Sequence, residues 1–196
     1  MVLGAYLLGT FPSALLVGRR SGFDPTAAGS QNPGATNAYR LGGRRAGVAV
    51  LALDVAKGAV AAGAGWALGG HGLGVACGAA SVVGHCLPVT RRFQGGKGVA
   101  TFIGVVFGIH WVLGVATALT WLIIAFFFRY SSLASLVSAV FAPVYYLLGN
   151  RLQWYAERPV AVALFAMALL LAWRHRANIR RLLEGKEARL GAKKPT

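Results

Sequence analysis

Apolar runs separated by short polar segments set the pattern of this chain. Residues 2–17 read as a short first span that contains Pro12, a break that neighbouring helices tolerate by re-satisfying the freed carbonyl. Residues 18–45 are polar, with a run of turn formers from Ala28 to Asn37. Residues 46–68, rich in Gly and Ala as close helix packing requires, give a second span. A glycine turn at residues 69–72 leads to a third span over 73–87. Residues 99–128 are almost unbroken apolar sequence, about 45 Å as one helix against a hydrocarbon core about 30 Å thick. Two further spans follow at residues 132–148 and 159–173, then a basic juxtamembrane helix over 174–190 and a frayed end over 191–196.

Charge decides how the 99–128 run is divided. If it turns near Gly108 to His110 into two short helices, one side of the membrane collects Arg19, Arg20, Arg40, Arg44, Arg45, Arg91, Arg92, Lys97, Arg129 and the basic tail. Only Arg151 and Arg158 then face the other side. The positive-inside rule therefore predicts an all-α membrane bundle of about seven transmembrane helices, N-terminus outside and C-terminus in the cytoplasm. Three polar segments, residues 19–45, 88–98 and 174–190, fall together on the cytoplasmic side and can form one site. The whole chain, residues 1–196, reads as one transmembrane domain, and the uninterrupted entry from Met1 into apolar sequence reads as a retained span and not a cleaved leader.

Composition agrees with the pattern: 56% of residues are hydrophobic and 13% charged, where a soluble domain carries about 25% charged residues. The net charge of +15 would suggest nucleic acid in a soluble protein. Here the basic residues cluster between apolar runs without interleaved stacking aromatics, so the partner implied is membrane lipid and not nucleic acid. Cys77 and Cys86 share one apolar run and read as buried thiols. No spacing of His and Cys suits a metal and no serine nucleophile elbow appears, so no metal or cofactor is implied. The oligomeric state is not readable from the sequence.

Three stretches carry candidate chemistry. In residues 29–40 small and hydroxyl-bearing side chains let successive amides point into one anion-binding concavity, and Arg40 adds a planar fork for phosphate. The same stretch also reads as a polar turn loop. Gly95, Gly96, Lys97 and Gly98 lead directly into an apolar helix whose N-terminus favours an anion. Arg91 stands where a Walker loop needs Gly, and Gly98 where it needs Ser or Thr, which argues against a nucleotide triphosphatase. The plain alternative is a glycine turn with Lys97 snorkelling to the interface. His175 and Asn178, three apart, can both face the bundle mouth, while the arginines around them suit anionic lipid equally well. Ser131, Ser132 and Ser135 offer hydroxyls at the same level or serve helix packing, and Asp54 and Lys57 read as a buried pair within a span.

These residues resemble the bacterial acyl-phosphate:glycerol-3-phosphate acyltransferases, the PlsY family. The resemblance rests on Gly29-Ser30-x-Asn32-Pro33-Gly34-Ala35-Thr36-Asn37 followed by Arg40, and on Asp54-x-x-Lys57-Gly58. It continues through Gly84-His85-x-x-Pro88 into Gly95-Gly96-Lys97-Gly98-Val99-Ala100-Thr101, and through His175-Arg176-x-Asn178-Ile179. It covers essentially the whole chain. Gln31 stands where the family usually has Gly, and Leu87 where it has an aromatic. The resemblance implies transfer of a fatty acyl group from acyl phosphate to the 1-hydroxyl of glycerol 3-phosphate, giving lysophosphatidic acid and phosphate in phospholipid synthesis at the bacterial inner membrane. It implies acyl-phosphate contacts at Ser30, Asn32, Gly34, Thr36, Asn37, Gly95, Gly96 and Gly98. Glycerol 3-phosphate then falls to Arg40, Lys97, Ser132, His175 and Asn178, with Lys97, His175 and Asn178 in the catalytic set. The proton acceptor is left open between His175, His85 and a phosphate oxygen of a substrate. A small transporter for a phosphate-bearing solute is the alternative class, although no internal repeat supports it.

Overall fold

The computed structural model describes residues 1–191, so residues 192–196 of the expected frayed end lie outside the described residues. The chain is helical throughout, with α1 at Val2–Gly9, α2 at Ser13–Ser21, α3 at Ala35–Cys86 and a 3-10 turn at Val89–Arg91. There follow α4 at Val99–Ile109, α5 at Trp111–Phe128, α6 at Ser131–Leu148, α7 at Arg158–Arg174 and α8 at Arg176–Leu183. Val2–Ser21, Ala35–Arg91, Trp111–Phe128 and Ser131–Leu148 are long and apolar enough to cross a membrane, and α7 with α8 make a further candidate bent by 63°.

Two compact units divide the chain, Met1–Gly114 and Val115–Thr196. In the first, Pro12 interrupts the opening span, so α1 and α2 are separate helices. The nominally continuous α3 is broken at Gly43 (φ 76°) and at Gly69 and Gly70 (φ 72° at Gly70), backbone angles that L side chains avoid. The breaks divide it into a short entry helix and two antiparallel arms, as the glycine turn predicted. Helix α4 packs against these arms where Gly58 meets the backbone at Thr101 and Gly104 meets that at Val55, with no side chain to hold the helices apart. Val50, Val82, Phe102, Val105 and Val106 are fully buried in this unit. His110 adopts an extended conformation (φ −155°, ψ 120°) and ends α4, which places the break in the 99–128 run where charge predicted it.

In the second unit, Trp121 Nε1 donates to Ser135 Oγ at 3.1 Å, and Thr120 Oγ1 and Tyr145 Oη lie 3.1 Å apart. Ser135 Oγ also donates to the Ser131 carbonyl at 2.7 Å, so this hydroxyl serves helix packing. Phe126, Phe127, Leu122 and Ile123 are exposed, the surface expected against acyl chains and not water. The basic helix expected over residues 174–190 is shorter: α8 stops at Leu183 and Gly185 turns the chain at φ 68°. Cys77 and Cys86 are both buried.

Candidate active site

The first unit builds two glycine-rich loops that each end on a helix N-terminus. In the earlier loop Asp24 Oδ1 accepts the Thr26 hydroxyl at 2.6 Å and the Thr26 amide at 2.7 Å. Those bonds, with a smaller contribution from the charge of Arg91, hold Asp24 below the usual carboxylate range. From the first turn of α3, Asn37 reaches back into the loop. Its Nδ2 donates to the Pro25 carbonyl at 2.9 Å and the Ala28 carbonyl at 3.1 Å, and its Oδ1 accepts the Ser30 amide at 2.9 Å. Asn37 is buried, and these bonds let its side chain shape the loop. Ser30 and Arg40 are exposed, and Asn32, Gly34 and Thr36 are half-buried around the start of α3.

Gln31, at the position usually glycine in the family it resembles, has φ 55°. An unbranched side chain tolerates the left-handed region at a cost of roughly 1 kcal/mol, whereas a β-branched one fits it poorly. Gln31→Gly should therefore leave thermal stability in detergent nearly unchanged, since relief of strain is offset by the freer unfolded chain. Gln31→Val should lower it by about 1–2 kcal/mol. Equal melting curves for the two variants would contradict this account of the loop.

In the later loop, Arg92 and Phe93 take left-handed conformations (φ 50° and 62°) after the 3-10 turn, and the Gly96 amide donates to the His85 carbonyl at 3.1 Å. Gly98 (φ 83°) precedes α4, and Lys97 beside it is half-buried. Gly95, Gly96 and Arg91 of this loop line a recess together with Pro33 of the earlier loop. Asp54, Lys57 and His85 line it too. The recess thus places Arg91 and the glycine backbone of the later loop beside this buried charged network, and an arginine there suits phosphate.

Asp54 and Lys57 form the expected buried pair, Nζ to Oδ1 at 2.8 Å, within a larger network. Ser13 Oγ donates to Asp54 Oδ1 at 2.8 Å, and Lys57 Nζ also donates to the Phe11 carbonyl at 3.3 Å. Nζ lies 2.8 Å from His85 Nδ1. Nδ1 also lies 3.5 Å from Asp54 Oδ1; when Nδ1 accepts from the ammonium, the ring is neutral with its proton on Nε2. In that tautomer the ring offers no lone pair to a substrate hydroxyl. Joining His85 to Asp54 and Lys57 was beyond the sequence, since only the three-residue spacing of the first two is visible there.

The second unit holds the other expected residues. His175 caps the junction of α7 and α8, and its Nδ1 lies 2.8 Å from the Leu171 carbonyl. A carbonyl only accepts, so Nδ1 carries a proton and the neutral ring has its lone pair on Nε2, the reverse of His85. Glu187, unnoticed in the sequence, accepts Ser132 Oγ and Asn178 Nδ2 on Oε1, each at 2.7 Å, and Arg181 Nε on Oε2 at 2.7 Å. Ser132 therefore gives its only proton to Glu187 and keeps lone pairs, which suit a substrate hydroxyl and not a phosphate. Burial by itself would raise the Glu187 carboxyl, but hydrogen bonds from Asn178, Ser132 and Arg181, with the charge of Arg181, outweigh it and hold the group below its ordinary value.

A group whose folded value is depressed contributes stability above its unfolded value and loses it as pH falls through the folded one. Residues 184–190 should accordingly show more hydrogen-exchange protection at about pH 6 than at about pH 3, after correction for intrinsic rates. Glu187→Gln should remove that difference. Equal pH dependence in the two proteins would refute the anchoring role.

The family model described as glycerol-3-phosphate acyltransferase matches residues 1–185. The chain belongs to this family. A glycerol-3-phosphate acyltransferase of Burkholderia pseudomallei (strain K96243) is 52% identical over 203 residues, covering 99% of this chain and 96% of the relative. One of Bordetella petrii is 50% identical over 199 residues, covering 97% and 92%. Among solved structures, PlsY (YgiH), an integral membrane glycerol 3-phosphate acyltransferase, is similar in its glycerol 3-phosphate form with a TM-score of 0.91 and 37% identity, covering 97% of this chain and 94% of that one. Its lysophosphatidic acid form gives 0.89 at the same identity. The likeness extends over nearly the full length of the chain, so this acyltransferase has the all-α, multi-pass membrane fold of the family.

Proposed function

We propose that this acyltransferase moves a fatty acyl group from acyl phosphate to the 1-hydroxyl of glycerol 3-phosphate, releasing lysophosphatidic acid and inorganic phosphate, in the inner membrane of a bacterium. The observation that carries the reading is the recess lined by Pro33 of one loop and by Arg91, Gly95 and Gly96 of the other, two loops that each lead to a helix N-terminus. The two solved structures of the similar PlsY (YgiH) are its glycerol 3-phosphate form and its lysophosphatidic acid form, the acceptor and the acylated product of this reaction.

Acyl phosphate is a mixed anhydride with phosphate as its leaving group, so no covalent enzyme intermediate is required. Attack by the 1-hydroxyl oxygen on the acyl carbon breaks the bond from that carbon to the bridging oxygen, and the hydroxyl proton leaves with a base or with the departing phosphate. Loop amides about Ser30, Asn32, Gly34 and Thr36, with Gly95, Gly96 and Gly98, hold the acyl phosphate and stabilise the developing oxyanion. Such preorganised donors supply most of the acceleration in comparable acyl transfers. Arg40 and Lys97 hold the phosphate of glycerol 3-phosphate. The family resemblance assigns Ser132, His175 and Asn178 to the same substrate; Ser132 and Asn178 already share Glu187 as acceptor.

The same reading assigns one transmembrane domain of seven spans, N-terminus outside, with the catalytic loops in the cytoplasm. Support comes from the basic asymmetry of the loops and from helix breaks at Gly69, Gly70 and His110. Mass spectrometry of lipid made by the purified protein should find the acyl chain on the 1-hydroxyl. A 2-acyl product would reject the proposed acceptor geometry.

A further inference from the structure

The network of Asp54, Lys57 and His85 is buried beside the recess, yet none of the three has a step in the reaction above. Each of its contacts has a direction. The Lys57 ammonium donates to Asp54 Oδ1 at 2.8 Å, to the Phe11 carbonyl at 3.3 Å and to His85 Nδ1 at 2.8 Å. The three ammonium protons have three acceptors within reach, Ser13 adds a second donor to the same Asp54 oxygen, and His85 Nδ1 stands 3.5 Å from that oxygen. The histidine ring then faces the phosphate loop. A Cβ on Gly96 would collide with Nε2, Cε1 and Cδ2 of His85, so the Nε2 edge of the ring lies against the Gly96 backbone. The loop is tied to the same residue a second time, by the Gly96 amide on the His85 carbonyl at 3.1 Å.

We propose that Lys57, held by Asp54, locks His85 as the neutral Nε2–H tautomer, and that this ring is a positioning residue that seats Gly95 and Gly96 for the phosphate of the acyl donor. The lock has an electrostatic reason. A phosphate-binding loop gains from a fixed N–H dipole whose positive end faces it, and the buried Asp54 carboxylate neutralises Lys57 so that no net charge is added. The charged groups about His85 are Asp54 and Lys57 on the facing arm of α3, with Asp54 Oδ1 3.5 Å from Nδ1, while Arg91 lines the same recess. Ser13 and the Phe11 carbonyl extend the network to the break between α1 and α2, which ties the loop to the membrane-entry helices. This role in seating the loop rests on the acyl-phosphate reading, whereas the tautomer itself does not.

The test uses histidine labelled with 15N in the full-length protein in detergent, with the His85 signal assigned by its loss in His85→Gln. The expected spectrum shows a protonated Nε2 and an unprotonated Nδ1 for His85, unchanged between about pH 6 and about pH 8. In Lys57→Met the ring should begin to titrate in that range, and the KM for acyl phosphate should rise about tenfold with kcat within about threefold. Should the uncompensated Asp54 prevent folding, Asp54→Asn combined with Lys57→Met removes both charges and is read the same way. His85→Gln keeps an N–H near the Nε2 position and should retain the KM within about threefold, while His85→Asn should raise it about tenfold. A protonated ring or the Nδ1–H tautomer in the unsubstituted protein overturns the lock. An unchanged KM in both Lys57→Met and His85→Asn overturns the seating role. Absence of acyl transfer in the unsubstituted protein would instead reject the functional reading and leave the tautomer result standing.

Discussion

Lys97→Met should lower kcat/KM by about 10²–10³ with the helical fold retained, the loss expected when one preorganised donor to developing or bound phosphate charge is removed. Methionine keeps the length and apolar stem of lysine, so packing along the half-buried side chain is preserved and the charge alone is lost. The residue stands between Gly96 and Gly98, at the start of α4, where the helix end already favours an anion. Lys97→Arg should recover only part of the activity, because a planar fork replaces a compact ammonium in a site bounded by glycines. Steady-state kinetics with both substrates varied, beside circular dichroism in detergent, measure the two parts. Near-normal turnover in Lys97→Met would remove the residue from the mechanism.

His175→Ala should cost about 10²–10³ in kcat/KM, within the span observed for positioned proton acceptors, and the loss should persist at saturating glycerol 3-phosphate. The geometry makes the reason specific. Nδ1 donates to the Leu171 carbonyl at 2.8 Å, which fixes the ring plane and puts the proton on Nδ1. A neutral ring of that tautomer receives a proton from a hydroxyl and cannot donate to phosphate. If the loss were confined to KM, His175 would merely hold the acceptor and a phosphate oxygen of a substrate would take the proton. Asn178→Ala should be milder, since its Nδ2 is already engaged by Glu187 at 2.7 Å.

The parts of this account legible in sequence are those set by local pattern. Runs of apolar residues gave the spans, Gly69 and Gly70 marked the turn within α3, and charge asymmetry placed the break that the structure puts at His110. Asp54 and Lys57 were legible as a pair because a helix brings residues three apart onto one face. Contacts between distant segments were not. His85 joins that pair from 28 residues away, and Glu187 reaches Ser132 across 55. No periodicity encodes either meeting, and both depend on where the chain reverses. The part Asn37 plays in shaping the loop was hidden for another reason: an amide beside Thr36 in a glycine-rich loop looks like a ligand, and only the three bonds to the loop backbone show this use of its polar atoms. The end of α8 at Leu183 was missed because arginine-rich sequence keeps helix propensity up to the turn at Gly185.

The identity of the acyl donor is the central claim, and one assay reaches it directly. Purified protein is given acyl phosphate and labelled glycerol 3-phosphate in the absence of coenzyme A and of any carrier protein, and lipid-extractable label and released phosphate are followed together. The account predicts lysophosphatidic acid and inorganic phosphate formed in equal amounts from the first turnover. Product that appears only when acyl-coenzyme A replaces acyl phosphate would contradict it.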